Sequence, residues 1–119
     1  MFVTLSLLFR FQSHVAALKK IPGAKVLFGG ELLDPTSHNI PSCYGSFLPT
    51  AVQIPLQEFV KPDYYDLCCT EIFGPFQVVV EYGDDDLDLV LDALERTTAH
   101  LTAAIVSKDI VFQNKVSVA

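Results

Sequence analysis

Apolar and polar positions alternate along the chain in a way that predicts short helices and strands joined by polar loops. Residues 13–20 are weakly helical in pattern: Val15 and Leu18 share a face, and Lys19 and Lys20 lie near the C-terminal end, where cations suit the helix dipole. Pro22 and Gly23 end this helix. Residues 25–28 predict a short strand closed by Gly29 and Gly30. A polar loop over 31–46 follows, with Pro35, Asn39, Pro41 and Gly45, and belongs on the surface. Residues 50–56 read as a second strand, entered at Pro49 and left near Pro55, so its end is expected at a sheet margin. Residues 57–70 read as irregular.

The clearest signal lies further on. Residues 76–82 are almost continuously apolar, with Val78, Val79 and Val80 in succession, which suits a strand buried on both faces. Gly83 stops it, and Asp84, Asp85 and Asp86 supply an N-cap and first-turn negative charge. Leu87, Val90, Leu91 and Leu94 then recur at helical spacing, with Arg96 and His100 at the far end. Residues 101–106 are again strand-like, so 76–106 predicts a β-α-β unit with parallel strands and a right-handed crossover. Ser107 or Asp109 is placed to cap one more helix, starting near Ile110.

Composition narrows the class. With 119 residues, 50% of them hydrophobic, the chain has the size of one domain or part of one, and neither a repeat nor a linker divides it. A net charge of −6, with eight Lys and Arg scattered along the sequence, argues against nucleic acid and anionic membrane partners. The apolar opening, residues 1–11, lacks a basic start and a small-residue cleavage site and is interrupted by Arg10, so it does not read as a secretion signal. It also falls short of the roughly 20 apolar residues of a spanning helix. No Arg-rich organelle presequence is visible.

Several residue groups are candidates for chemistry. His14, His38, His100 and the three cysteines are potential metal ligands, but no two of them show the spacing of a zinc element. Asp84, Asp85, Asp86 and Asp88 lack the alternation, central glycine and closing glutamate of a calcium loop, leaving the helix-cap reading. Cys43, Cys68 and Cys69 have no neighbouring base in sequence and read as small, semi-buried residues in a reducing compartment. Gly29-Gly30 lacks the third glycine and the following helix of a dinucleotide fingerprint.

Glu71-Ile72-Phe73-Gly74-Pro75 is different. It joins a carboxylate, an aromatic ring, a conformationally free glycine and a rigid proline just before a strand. A carboxylate accepts hydrogen bonds from a vicinal diol such as a ribose, and a ring offers a flat apolar wall to a nicotinamide. A tight loop with an inward Phe73 and a solvated Glu71 is the alternative when the pentapeptide is taken alone.

In order, Thr70-Glu71-Ile72-Phe73-Gly74-Pro75, a strand, an acidic helix and Leu101-Thr102-Ala103-Ala104-Ile105-Val106-Ser107-Lys108-Asp109 resemble the aldehyde dehydrogenase superfamily. Ile21-Pro22-Gly23-Ala24-Lys25-Val26-Leu27-Phe28-Gly29-Gly30, Ile40-Pro41-Ser42-Cys43-Tyr44-Gly45 and Pro49-Thr50-Ala51-Val52 are similar to the plant-type pyrroline-5-carboxylate dehydrogenases. The likeness covers about residues 15–115; residues 1–11 match poorly. It implies one partial catalytic domain over 1–119, of α/β class, with a β-α-β unit and a mostly parallel sheet. It also implies oxidation of glutamate semialdehyde to glutamate with NAD, in mitochondrial proline breakdown. By this resemblance Glu71 binds the nicotinamide ribose and Phe73 stands beside the nicotinamide, the substrate being a small-molecule aldehyde.

The family nucleophile lies further upstream of Glu71 than the 70 residues available, so no cysteine here corresponds to it. The general-base glutamate and the dinucleotide-binding domain also lack counterparts. The expectation is therefore a chain without a catalytic residue of its own, inactive alone. A non-enzymatic α/β interaction module, associating with itself or with an intact homologous subunit, is the competing reading.

Overall fold

The computed structural model describes residues 2–41, 44–97 and 101–117, with side chains from Leu8 onward. It comprises two compact units, Met1–Glu81 and Tyr82–Ala119.

The first unit opens with α1, Phe2–Leu18. The helix begins well before residue 13 because residues 2–12 contain no proline or glycine, and a helix once nucleated propagates through such a run. Phe11, His14, Val15 and Leu18 are all buried, an i, i+3, i+4, i+7 stripe that includes the predicted pair Val15 and Leu18. The final turn tightens, the Ile21 N–H donating to the Leu18 carbonyl at 3.0 Å, and Gly23 follows at φ +76°.

Three strands form the sheet: β1, Lys25–Phe28; β2, Thr50–Gln53; and β3, Phe76–Val79. Their order is β1-β2-β3, with β1 antiparallel and β3 parallel to β2. The two predicted strands at 25–28 and 50–56 are thus present, the latter shortened at Gln53 and lying in the centre of the sheet. Gly29 and Gly30 close β1 as expected, at φ +73° and +89°. A Cβ on Gly29 would lie 2.1 Å from the Pro49 carbonyl oxygen, so only glycine fits there.

Between β2 and β3 the predicted irregular stretch is helical: α2, Leu56–Phe59, and α3, Pro62–Cys69. Pro62 at the first turn of α3 costs no hydrogen bond there, and Leu56, Tyr65 and Cys68 turn inward. The β-α-β unit of this chain is therefore β2, α2–α3, β3, one element earlier than predicted. Leu18, Ile21, Val52, Ile54 and Cys68 form the core against which Phe76 and Val78 pack. Each fully buried aliphatic side chain among them contributes roughly 1.5–3 kcal/mol. Among the described residues β3 is an edge strand, and it is only half-buried, not covered on both faces as expected.

In the second unit Asp84–Asp86 form a 3₁₀ turn leading into α4, Leu87–Glu95. Asp86 stands at the N-cap of α4 as expected but makes no side-chain cap bond within it; its carboxylate instead accepts the Gly83 N–H at 3.4 Å. Leu91 is buried, Leu87 and Val90 are half-buried, and Leu94 is exposed. Residues 101–106 form no strand, contrary to expectation, and Leu101 and Val106 are almost fully exposed. An extended segment becomes a strand only where another backbone satisfies its N–H and C=O groups, and no described strand does so. α5, Ile110–Ser117, starts where predicted, with the Asp109 carboxylate accepting the Val111 and Phe112 N–H groups at 2.8 and 3.2 Å. His100 lies outside the described residues.

His14 makes a testable liability. Its Nε2 is buried with no hydrogen-bond partner, and desolvation lowers the imidazole pKa from 6.5. The unfolded chain then binds the proton more readily, so stability falls as pH drops below 6.5. Urea titrations at pH 7.5 and 5 are expected to show that His14→Leu reduces this acid sensitivity while keeping or raising stability at pH 7.5.

Candidate functional site

The Glu71–Pro75 segment bridges α3 and β3, and each of its ends is fixed. At the start, Thr70 takes an extended conformation (φ −65°, ψ 122°) that ends α3, and its hydroxyl donates to the Asp66 carbonyl at 2.6 Å. At the other end, the Phe76 N–H donates to the Gly74 carbonyl at 2.8 Å, closing a three-residue turn around Pro75. Gly74 has φ +155°, which side-chain-bearing residues rarely adopt.

The segment rests on an aromatic bed. The Phe11 ring lies 3.4 Å from where a Cβ on Gly74 would sit. That ring stacks on Phe47, with centroids 3.8 Å apart, and meets Phe76 edge-on at 5.9 Å. His14 also meets Phe76 edge-on, at 5.4 Å. Packing of this kind adds about 0.5–1.5 kcal/mol per aromatic pair beyond area burial. Ile72, half-buried, lines a shallow depression of about 270 Å³ together with Arg10, His14, Leu67 and Thr70. Glu71 and Phe73 turn outward; both are exposed, Phe73 at 76%. The two predicted site residues therefore stand free on one tethered loop, separated by the half-buried Ile72, and the inward-Phe73 alternative does not hold.

Thr50 holds this loop from the side. It is 1% exposed, and its N–H donates to the Pro75 carbonyl at 2.8 Å. Its Oγ1 accepts the Gly30 N–H at 2.8 Å and donates to the Leu48 carbonyl at 2.8 Å. One residue thus joins the β1 exit, the β2 entrance and the candidate loop. Sequence reasoning passed over both Thr50 and Phe11. The helical stripe through Phe11, His14, Val15 and Leu18 was the available signal for Phe11; the role of Thr50 has none, since it depends on non-local partners.

The cysteines do not add a nucleophile here. Cys68 and Cys69 lie on α3, not in extended backbone, where successive side chains diverge, so Cys68 is buried and Cys69 exposed. Burial, reinforced by Cys69, pushes the Cys68 thiol up to about 11, which suppresses the reactive thiolate. Cys43 lies outside the described residues. Among the described residues, no three of His, Cys, Asp and Glu gather to hold a metal ion. No described helix is long and apolar enough to cross a membrane.

Relatives of known kind share this stretch. The chain is 55% identical over 103 residues to a probable aldehyde dehydrogenase of Linum usitatissimum, covering 87% of this chain and 18% of that protein. The chain is homologous to a stretch of the aldehyde dehydrogenases. It is 54% identical over 104 residues to the mitochondrial delta-1-pyrroline-5-carboxylate dehydrogenase 12A1 of Arabidopsis thaliana, again covering 87% of this chain and 18% of the relative. It therefore spans about a fifth of the length of these aldehyde dehydrogenases. No family model matches the chain.

Solved structures agree at the level of fold. PnpE in complex with nicotinamide adenine dinucleotide superposes with a TM-score of 0.61 at 24% identity, covering 91% of this chain and 20% of that one. A variant aldehyde dehydrogenase from Bacillus cereus gives 0.60 at 22% identity, covering 94% and 20%. The mixed α/β architecture is thus shared with part of each of these structures.

Two outcomes test this geometry. Thr50→Val keeps shape but orphans the Gly30 N–H and the Leu48 carbonyl; a loss of about 1–3 kcal/mol is expected in urea denaturation. In iodoacetamide labelling at pH 8 followed by peptide mass mapping, Cys69 is expected to react at least about tenfold faster than Cys68 in the folded chain.

Proposed function

We propose that this chain carries the nicotinamide-contacting loop of an NAD-dependent aldehyde dehydrogenase acting on glutamate 5-semialdehyde, and that it is catalytically silent by itself. The observation that carries the reading is the pairing of an exposed carboxylate and an exposed ring, Glu71 and Phe73, on a loop tied by hydrogen bonds at Thr70, Gly74 and Pro75, within sequence 54–55% identical to plant relatives.

This arrangement fits the cofactor chemically. Glu71 makes no hydrogen bond or ion pair with another described residue, leaving its carboxylate oxygens open to accept from the vicinal hydroxyls of a ribose. Phe73 presents an apolar face against which a nicotinamide ring is held flat. Immobilising both in advance saves the entropy of ordering them on binding. NAD, when bound, supplies the hydride acceptor. Glu71 and Phe73 orient it and take no part in bond making.

Two of the three thiols support silence of the isolated chain. Cys68 is buried and held in the thiol form, and Cys69 has no histidine beside it in the described structure, so neither is an activated nucleophile. The substrate assignment and a mitochondrial location rest on the likeness to a relative named as a mitochondrial pyrroline-5-carboxylate dehydrogenase. The two compact units belong, in this reading, to one domain of a longer enzyme.

The test is calorimetric titration of the folded chain with NAD, run beside an aldehyde-dependent NADH assay. No turnover is expected, and any NAD heat is expected to be weak and to fall at least about tenfold in Glu71→Ala, the loss of a hydrogen-bonded charged group. Turnover by the chain alone, or NAD affinity indifferent to Glu71→Ala, would refute the assignment.

A further inference from the structure

Hydrogen bonds tie the Glu71–Pro75 loop at its two ends and leave the middle to packing. Thr70 is joined to the Asp66 carbonyl, the Phe76 N–H to the Gly74 carbonyl and the Thr50 N–H to the Pro75 carbonyl. Among the described residues no hydrogen bond reaches the backbone of Glu71, Ile72 or Phe73. Gly74 has no side chain with which to anchor the turn. What lies against it is the Phe11 ring, two of whose carbons stand 3.4 Å from where a Cβ on Gly74 would sit.

Two other rings hold Phe11 in place. It stacks on Phe47 with the planes inclined by only 17°, and it meets Phe76 edge-on. Both partners are fixed by backbone pairing: Phe47 by its antiparallel bridge to Leu32 and the Leu48 N–H bond to the Glu31 carbonyl, Phe76 by its register with Thr50. Phe11 itself is 1% exposed and sits on α1. A ring wedged in this way has little freedom, and a glycine backbone resting on it loses the latitude that glycine otherwise has.

We propose that Phe11 is a positioning residue for the nicotinamide-contacting loop: its ring, backing Gly74, holds Glu71 and Phe73 in one arrangement before a cofactor arrives. Its bearing on the cofactor rests on the role proposed above for Glu71 and Phe73; the ordering of the loop stands without it. The resemblance to the aldehyde dehydrogenases begins near residue 15, so it assigns Phe11 no role. A leucine at this position fills apolar space but lacks the flat face that stacks on Phe47, so the loss falls on alignment more than on burial. The consequence is entropic, because side chains that must be ordered on binding weaken it.

Relaxation of ¹⁵N in the labelled full chain tests this. In the unmodified chain the Glu71, Phe73 and Gly74 amides are expected to be nearly as rigid as those of β2, with order parameters of about 0.85. In Phe11→Leu they are expected to fall below about 0.6 while the amides of residues 51–53 stay unchanged. Ile21→Val thins the core cluster of Leu18, Ile21, Val52, Ile54 and Cys68; it is expected to lower stability in urea and leave the loop amides unmoved, which separates positioning from general support. Any NAD affinity, followed on the Phe73 amide, is expected to fall at least about threefold in Phe11→Leu. Loop amides that are mobile in the unmodified chain, that stay rigid in Phe11→Leu, or that loosen equally in Ile21→Val would each overturn the inference, as would an NAD affinity that falls in Glu71→Ala but not in Phe11→Leu. If the loop loosens in Phe11→Leu while NAD affinity is indifferent to both substitutions, the cofactor reading of the site fails and the ordering role of Phe11 stands. Should Phe11→Leu fail to fold, nuclear Overhauser contacts between the Phe11 ring and the Gly74 α-protons of the unmodified chain decide: their presence supports the arrangement and their absence overturns it.

Discussion

The three hydrogen bonds of Thr50 are the constraint on which the first unit depends. A buried backbone turn must find partners for its N–H and C=O groups, and here one hydroxyl serves the Gly30 N–H and the Leu48 carbonyl while the same residue's N–H serves Pro75. Gly29 has no room for a Cβ because the Pro49 carbonyl and the Thr50 hydroxyl approach it so closely. The parallel register of β2 and β3 begins at the Thr50 and Phe76 pair, directly after the Pro75 contact. The candidate loop thus inherits its position from the sheet, not from its own five residues.

From this bracket outward, order declines in a way that suits recognition. Phe11, Phe47 and Phe76 fill the space behind the loop, Ile72 is half-buried, and Glu71 and Phe73 are left projecting from a backbone with little freedom. The second unit shows the opposite condition. Leu101, Val106, Ile110 and Val111 are exposed, and residues 101–106 pair with no strand among the described residues.

Legibility followed the range of the interactions. The strand at 25–28, the start of the central strand at residue 50, the glycine exit at 29–30 and the Asp109 cap of α5 all rest on nearest-neighbour preferences, and all were readable. The helices at 56–59 and 62–69 were not, since Pro55, Val60 and Pro62 look like loop punctuation. In the fold these prolines stand at helix starts, where a missing N–H costs nothing. The Phe76 run looked doubly buried because valines do not report whether a neighbouring strand exists.

By itself the sequence determined the α/β class, the ends of several elements, the motif holding Glu71 and Phe73, and the resemblance that gives that motif a meaning. Each is written in local composition or in the order of short motifs. Only the tertiary structure decided that the β-α-β unit runs from β2 through α2 and α3 to β3, that residues 101–106 stay unpaired, and that Thr50 and Phe11 hold the candidate loop. Those outcomes depend on which distant backbone supplies a hydrogen-bond partner and which distant ring fills a space, and no local pattern carries that information.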